Sequence, residues 1–208
     1  MLRIWGRANS SNVMKVLWLC EELGLPFERI DAGGSFGRTR EPTYLAMNPN
    51  ALVPTIEEED GFSLWESNSI LRYLARKHAP QGTLYPQDLR TAAEADRWMD
   101  WQLGTLNAPM TTIFFTYVRI PEPERDYAAT AKARDTAEKL WGMLDARLAK
   151  QPYAAGEHFT IADIAFGPYI RRWFALPIER QEMPNLSGWY ERISKRPGFV
   201  KHLSAPLT

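Results

Sequence analysis

Two short stretches carry residue types that could hold a small acidic peptide. In Asn48-Pro49-Asn50-Ala51-Leu52-Val53-Pro54-Thr55, a proline directly follows the apolar pair Leu52-Val53, where a strand should begin. Proline has no N–H to give a sheet, so it stands at a strand start or edge. A cis Val53–Pro54 bond would turn the chain sharply and leave the Val53 N–H and C=O facing outward. Those groups could then pair with an extended peptide backbone, as a sheet edge does. Further on, Glu66-Ser67-Asn68 ends a strand and opens a helix, with Ser67 as its expected N-cap. A helix start with free N–H groups and a hydroxyl suits a carboxylate. Either motif alone would read as a tight turn or an ordinary capped helix. Together they read as backbone pairing beside carboxylate capture.

The elements that must position them follow from periodicity. Leu2 to Trp5 is a short apolar strand, followed by the polar loop Gly6 to Asn12. A helix is expected from about residue 12 to 23, because Val13, Val16, Leu17, Cys20 and Leu23 share one face. Gly24 and Pro26 stop it, and Phe27 to Asp31 completes a β-α-β unit, the signature of parallel pairing. Pro42 to Met47 is a short helix. Strands at 55–58 and 63–65 form a hairpin across Asp60-Gly61, and a helix runs over 67–78. The order β-α-β-α-β-β-α is that of a thioredoxin-like domain. The glycine-rich Gly33-Gly34-Ser35-Phe36-Gly37 lacks the Lys-Ser/Thr of a phosphate loop and does not follow the first strand, which excludes nucleotide binding there.

Ala79 to Pro86, rich in proline and glycine, reads as a linker. Beyond it the periodicity is helical. One long helix over about 88–118 is expected to kink at Pro109. A second is marked by Ala137, Leu140, Trp141, Leu144 and Leu148, and a last one by Leu186, Trp189, Tyr190 and Ile193. In Phe159-Thr160-Ile161-Ala162-Asp163-Ile164, Thr160 caps a helix and Asp163 bonds back to the Thr160 N–H, a structural capping box.

Composition narrows the function. The chain has 208 residues, a net charge of zero and 45% hydrophobic residues, enough for a sizeable core. No basic field points to nucleic acid or an anionic membrane, and no apolar run approaches the ~18–20 residues of a spanning helix. The N-terminus reads as a strand rather than a signal peptide. Cys20 is the single cysteine, so an internal disulfide and a Cys-x-x-Cys motif are excluded, and a reducing cytoplasm is the expected compartment. Its mid-helix position on the apolar face makes it a core residue. His78, His158 and His202 form no ligand spacing, so no metal site is expected.

The proline after Val53, the acidic-Ser pair Glu66-Ser67, the β-α-β opening and the helical second half together resemble the cytosolic glutathione transferases over nearly the whole chain. The resemblance implies an α/β N-terminal thioredoxin-like domain (1–79) plus an all-α C-terminal helical domain (88–208). It also implies conjugation of the glutathione thiolate to a small electrophile, with glutathione as co-substrate, no other cofactor, and a homodimer. Leu52, Val53 and Pro54 would take the cysteinyl backbone of glutathione, and Glu66 and Ser67 its γ-glutamyl end. Rival readings are a glutathione-dependent isomerase of the zeta kind, a peroxidase or disulfide reductase, and a non-catalytic binding module on the same fold.

The thiol would be activated at Ser10-Ser11-Asn12, at the start of the first helix. Counting back one helical turn from Lys15, as in the serine-type theta and delta classes, gives Ser11; the zeta register gives Ser10, and the nu pattern Thr-Pro-Asn gives Asn12. The order of preference is Ser11, Asn12, Ser10. The loop contains no tyrosine, which sets the tyrosine-type classes aside. Where many relatives place a His, Gln or Lys for the glycine carboxylate, this chain has Ala51 and Leu52, leaving Arg38, Arg40 or Asn50 as substitutes. Met110, Phe114, Phe115 and Tyr117, with Tyr169 and Trp173, are the candidates for an apolar electrophile pocket.

Overall fold

The computed structural model describes residues 1–79 and 82–208; Pro80 and Gln81 of the expected linker lie outside the described residues. Strand β1 (Leu2–Trp5) pairs in parallel with β2 (Phe27–Ile30) through the crossover helix α1 (Ser11–Leu23). After the short helix α2 (Pro42–Met47), the hairpin β3 (Thr55–Glu57) and β4 (Ser63–Trp65) adds antiparallel to β1. The sheet order is β2-β1-β3-β4, and α3 (Ser67–His78) closes the layer. Period-two alternation sets the faces: Ile4 and its cross-strand partner Ile56 are fully buried, whereas Arg3 and Glu57 pair on the other face. This is the thioredoxin-like order that the periodicity predicts.

The second half is helical throughout, with α4 (Leu89–Trp101), α5 (Asn107–Val118), α6 (Tyr127–Leu148), α7 (Ile161–Ala175), α8 (Pro184–Ser194) and α9 (Pro197–Leu203). The expected single helix over 88–118 is interrupted by a π-helical stretch, Gln102–Leu106. Pro109 has no N–H for the carbonyl one turn back, and its ring crowds that carbonyl, so the preceding turn widens. The Asn68 side chain reaches in from α3 and donates to the Met99 carbonyl at 3.0 Å, at the edge of that widened turn. The Thr160–Asp163 capping box forms at the head of α7 as its spacing predicts.

Trp18 joins the two halves. It projects from α1 into the helical domain, fully buried, with ring centroids 5.2 Å from Phe199 and 5.6 Å from Phe159. Gly167 on α7 and Gly198 on α9 make room: a Cβ at either would lie 2.3 Å from the Trp18 ring. Its indole N–H donates to Glu22 at 2.8 Å, and Arg196 of the helical domain donates to the same carboxylate at 2.9 Å. Because α1 is covered by α3 on one side and by α7 and α9 on the other, every residue from Val13 to Cys20 is buried. Cys20 is a core thiol, pushed up to about 12 by burial.

Candidate active site

The cleft begins where β1 hands over to α1. Ser10 is the N-cap of α1, yet its side chain makes no capping bond, and the Ser10 and Ser11 hydroxyls have no hydrogen-bond partner among the described residues. The Asn12 Oδ1 is buried and likewise without a partner. Ordinarily an N-cap hydroxyl turns back onto its own helix. Here the polar groups instead line a cleft of about 470 Å³ between the two domains.

The proline loop packs beside the β1–α1 loop, where a Cβ at Gly6 would fall 3.4 Å from Val53. The Val53–Pro54 bond is cis. A network of buried hydroxyl and amide groups holds the turn. The Tyr44 hydroxyl donates to the Leu52 carbonyl at 2.6 Å and sits 2.9 Å from the Thr55 hydroxyl, while the Asn48 Nδ2 donates to the same carbonyl at 2.9 Å. Leu52 is thereby fixed by its carbonyl while its side chain is 65% exposed. The Val53 N–H and C=O are left without backbone partners among the described residues. A Cβ at Gly33 would fall 3.2 Å from Val53 and 3.4 Å from the Arg7 guanidinium, so this loop borders the space that Arg7 lines.

Glu66, not Ser67, is the N-cap of α3; Ser67 is the first helical residue. Glu66 adopts a left-handed φ of 70°, unusual for a residue with a Cβ. That turn leaves the Glu66 side chain exposed and the Ser67 hydroxyl, on a buried residue, without a partner among the described residues.

The expected electrophile pocket is only partly where the aromatic stripe suggested. Phe114 lines the cleft, together with Phe115 and Tyr169. Met110 does not: it is fully buried and accepts the Trp141 indole N–H at 3.4 Å. Trp173 packs on Trp141 in the core, and Tyr117 packs against Tyr127, away from the cleft. The apolar character of these six side chains does not say which positions a neighbouring helix covers. Arg38, Arg40 and Asn50 are exposed and do not line the cleft, whereas Arg7 does.

The sequence reading missed a buried polar cluster behind the cleft floor. The Lys15 ammonium is fully buried, donating to the Gln102 Oε1 at 3.1 Å and the Asn68 Oδ1 at 3.4 Å, and lying 5.2 Å from the Tyr169 ring. Burial lowers it to about 7; Glu66 partly opposes this and Arg172 adds to it. The Tyr169 hydroxyl donates to the Asn107 Oδ1 at 2.8 Å. A lysine amid Val13 and Val16 on an otherwise apolar face was the signal for this cluster.

The sequence pattern of the glutathione S-transferase N-terminal domain matches residues 9–77, and that of the glutathione S-transferase C-terminal domain matches residues 106–197. The chain is 41% identical to the glutathione S-transferase GstB of Escherichia coli, with both proteins covered in full. It is 31% identical to the disulfide-bond oxidoreductase YfcG of the same organism, over 91% of this chain and 89% of that one. Among solved structures, the theta class glutathione S-transferase of Xanthomonas axonopodis pv. citri with glutathione bound superposes with a TM-score of 0.94 at 45% identity, covering 100% of this chain and 99% of that one. With both domain patterns matched in order and a relative 41% identical over its full length, on a fold that carries the cis Val53–Pro54 turn, the chain belongs to the glutathione S-transferase family.

Proposed function

We propose that this protein conjugates the thiolate of glutathione to a small electrophile. The observation that carries the reading is the set of polar groups at the head of α1 that have no partner among the described residues, on residues that line the cleft. In this reading Val53, set by Leu52 and Pro54, pairs with the cysteinyl backbone, and Glu66 and Ser67 hold the γ-glutamyl end. Arg7, beside Gly33 and Val53, is placed to meet the glycine carboxylate. The glutathione-binding domain spans residues 1–79 and the helical domain 88–208, and the enzyme works in the cytoplasm.

Ser11 donates to the thiolate. A free thiol with pKa near 8.5 is only about 3% ionised at pH 7. One hydrogen bond to the charged sulfur, about 1.5–3 kcal/mol, lowers that pKa by about one to two units. The thiolate also becomes a weaker nucleophile as its pKa falls, so ionisation alone gains only severalfold in rate. Holding the electrophile close to sulfur supplies the rest. Ser11→Ala should therefore raise the pKa of bound glutathione by about one to two units, with a smaller effect from Asn12→Ala. Ser67→Ala should instead cost about 1–3 kcal/mol of glutathione affinity with little change in that pKa. Thiolate absorbance of the binary complex, titrated with pH, checks the first and calorimetry the second. A large shift from Asn12→Ala with none from Ser11→Ala would hand the role to Asn12; a shift from neither would point to Ser10 and the helix start.

A second reading, glutathione-dependent reduction of a disulfide, is supported by the likeness to the E. coli disulfide-bond oxidoreductase. Oxidised glutathione, rather than a thioether, would then be the product.

The protein works as a homodimer. The tryptophans that first suggested a spare apolar face do not form it, since Trp98 is buried and Trp101 packs on Phe166. Exposed Phe62 and Trp65 on the hairpin, with Leu89 and Leu103 along the helices, supply the apolar surface. Two-fold pairing is the commonest way to cover such a surface. Sedimentation at micromolar concentration should show twice the chain mass, and a monomer there would defeat this reading.

A further inference from the structure

The cleft is strongly cationic although the chain as a whole is neutral. Arg7, Arg119 and Arg172 line it, and no Asp or Glu is among its lining residues. Arg7 belongs to the first domain, beside the proline loop. Arg119 follows α5 and Arg172 lies on α7, so both face the start of α1 from the helical side.

These two arginines converge on one ring. The Arg172 guanidinium stacks 3.6 Å from the Phe114 centroid, and that of Arg119 lies 5.7 Å from it. The Arg172 guanidinium is largely buried and makes no hydrogen bond or ion pair among the described residues. Arg119 donates to the Thr208 carbonyl at 2.8 Å and has no carboxylate partner among the described residues. A guanidinium offers five N–H donors in a fixed fork, matched to the two oxygens of a carboxylate. Leaving one mostly buried with no anion is costly unless a ligand supplies the charge. Burial lowers Arg172 to about 10; Tyr169 opposes the shift, and Arg171 and Arg119 add to it. Phe115, exposed in the same cleft, meanwhile offers an apolar wall, with the buried rings of Phe114 and Tyr169 behind it.

We infer that the electrophile carries an anionic group, a carboxylate on a small planar body, which Arg172 and Arg119 grip while the body rests on Phe115. The inference rests on the conjugation reading for the word electrophile; the anion site itself does not depend on it. An aryl halide bearing a carboxylate would react in balance as follows. The thiolate sulfur bonds to the ring carbon that carries chlorine, the carbon–chlorine bond breaks with its electron pair, and chloride leaves. The carboxylate is unchanged and serves only as the handle. An apolar pocket of the kind the sequence suggested would select the opposite class, neutral electrophiles.

A matched pair of ligands tests this: 4-chloro-3-nitrobenzoate and 4-chloro-3-nitrobenzamide, nearly equal in shape and different in charge. Titrated by calorimetry into the protein saturated with S-methylglutathione, whose sulfur cannot react, the benzoate should bind about 10–100-fold more tightly than the amide. In Arg172→Gln the benzoate affinity should fall most of the way to that of the amide. Arg119→Gln, at an exposed position, should reduce the preference severalfold and keeps the test available if Arg172→Gln does not fold. Equal affinities in the parent protein, or a preference that survives both substitutions, would overturn the inference. So would a loss of S-methylglutathione affinity in place of benzoate affinity, which would assign the arginines to glutathione. Chloride release with glutathione itself reads conjugation separately. Benzoate preference without chloride release from either compound would uphold the anion site and reject the conjugation reading.

Discussion

Asp163→Ala should cost about 3–5 kcal/mol of folding stability, the lower part of the sum for three buried donors left unsatisfied at about 1–3 kcal/mol each. The Asp163 carboxylate is fully buried at the head of α7 and accepts four hydrogen bonds. Oδ1 takes the Ala154 N–H at 3.0 Å and the Trp189 indole N–H at 2.8 Å; Oδ2 takes the Thr160 N–H at 2.9 Å and its hydroxyl at 3.4 Å. One side chain thus ties the loop before α7, the α7 cap and α8 together. Removing it leaves three N–H donors in the interior, each costing about 1–3 kcal/mol when unsatisfied. The alanine also relieves the burial of a charge, which pushes this carboxyl up in pKa, so the net loss is below the sum of those costs. Asp163→Asn keeps an acceptor for Trp189 but turns an NH₂ toward the Thr160 N–H, and should lose less. Urea unfolding of the three proteins checks the order. A loss under about 1 kcal/mol for Asp163→Ala would mean that water or repacking satisfies these donors.

Lys15→Met should remove a rise in stability with pH. Burial holds the Lys15 ammonium at about 7 in the folded protein, against its ordinary value of 10.5. Below about pH 7 both folded and unfolded chains carry the proton, and the full cost of burying the charge is present. Between about 7 and 10.5 the folded chain has shed a proton that the unfolded chain still binds, so stability increases with pH. The shift corresponds to about 5 kcal/mol over the whole window. Other groups also titrate there, so the difference between parent and variant is the quantity to read. Relative to the parent, Lys15→Met should be about 3 kcal/mol more favoured at pH 7 than at pH 9.5. The hydrogen bonds lost by Asn68 and Gln102 do not depend on pH in this range and cancel from the comparison. Parallel stability curves would show that Lys15 titrates normally, and that water reaches it.

The features legible in the sequence are those decided within a few residues. Pro54 after Val53 marks the strand start and the turn, because a missing N–H and a fixed φ act locally. Thr160 and Asp163 stand one helical turn apart, so the capping box follows from spacing alone. The β-α-β opening, the hairpin at Asp60-Gly61 and the helical periodicity of the second half are legible for the same reason. The first two glutathione motifs and the Ser10-Ser11-Asn12 loop were readable as stretches. That Ser10, Ser11 and Asn12 line a cleft walled by the helical domain was not.

What only the tertiary structure decided is which surfaces cover one another. Met110 and Trp173 have the same apolar character as Phe114, yet α6 covers them through Trp141 and leaves Phe114 to the cleft. Ser67 has the chemistry of an N-cap, but the left-handed turn at Glu66 moves the cap back one residue and frees the hydroxyl. Lys15 stands beside Val13 and Val16 in the sequence, but its partners come from α3, the π-helical turn and Tyr169, which close over it only in the fold. Arg7, Arg119 and Arg172 lie far apart along the chain, and nothing in their local spacing marks them as neighbours. Charge acts through space. A cationic cleft in a neutral chain therefore exists only once the two domains are docked on Trp18.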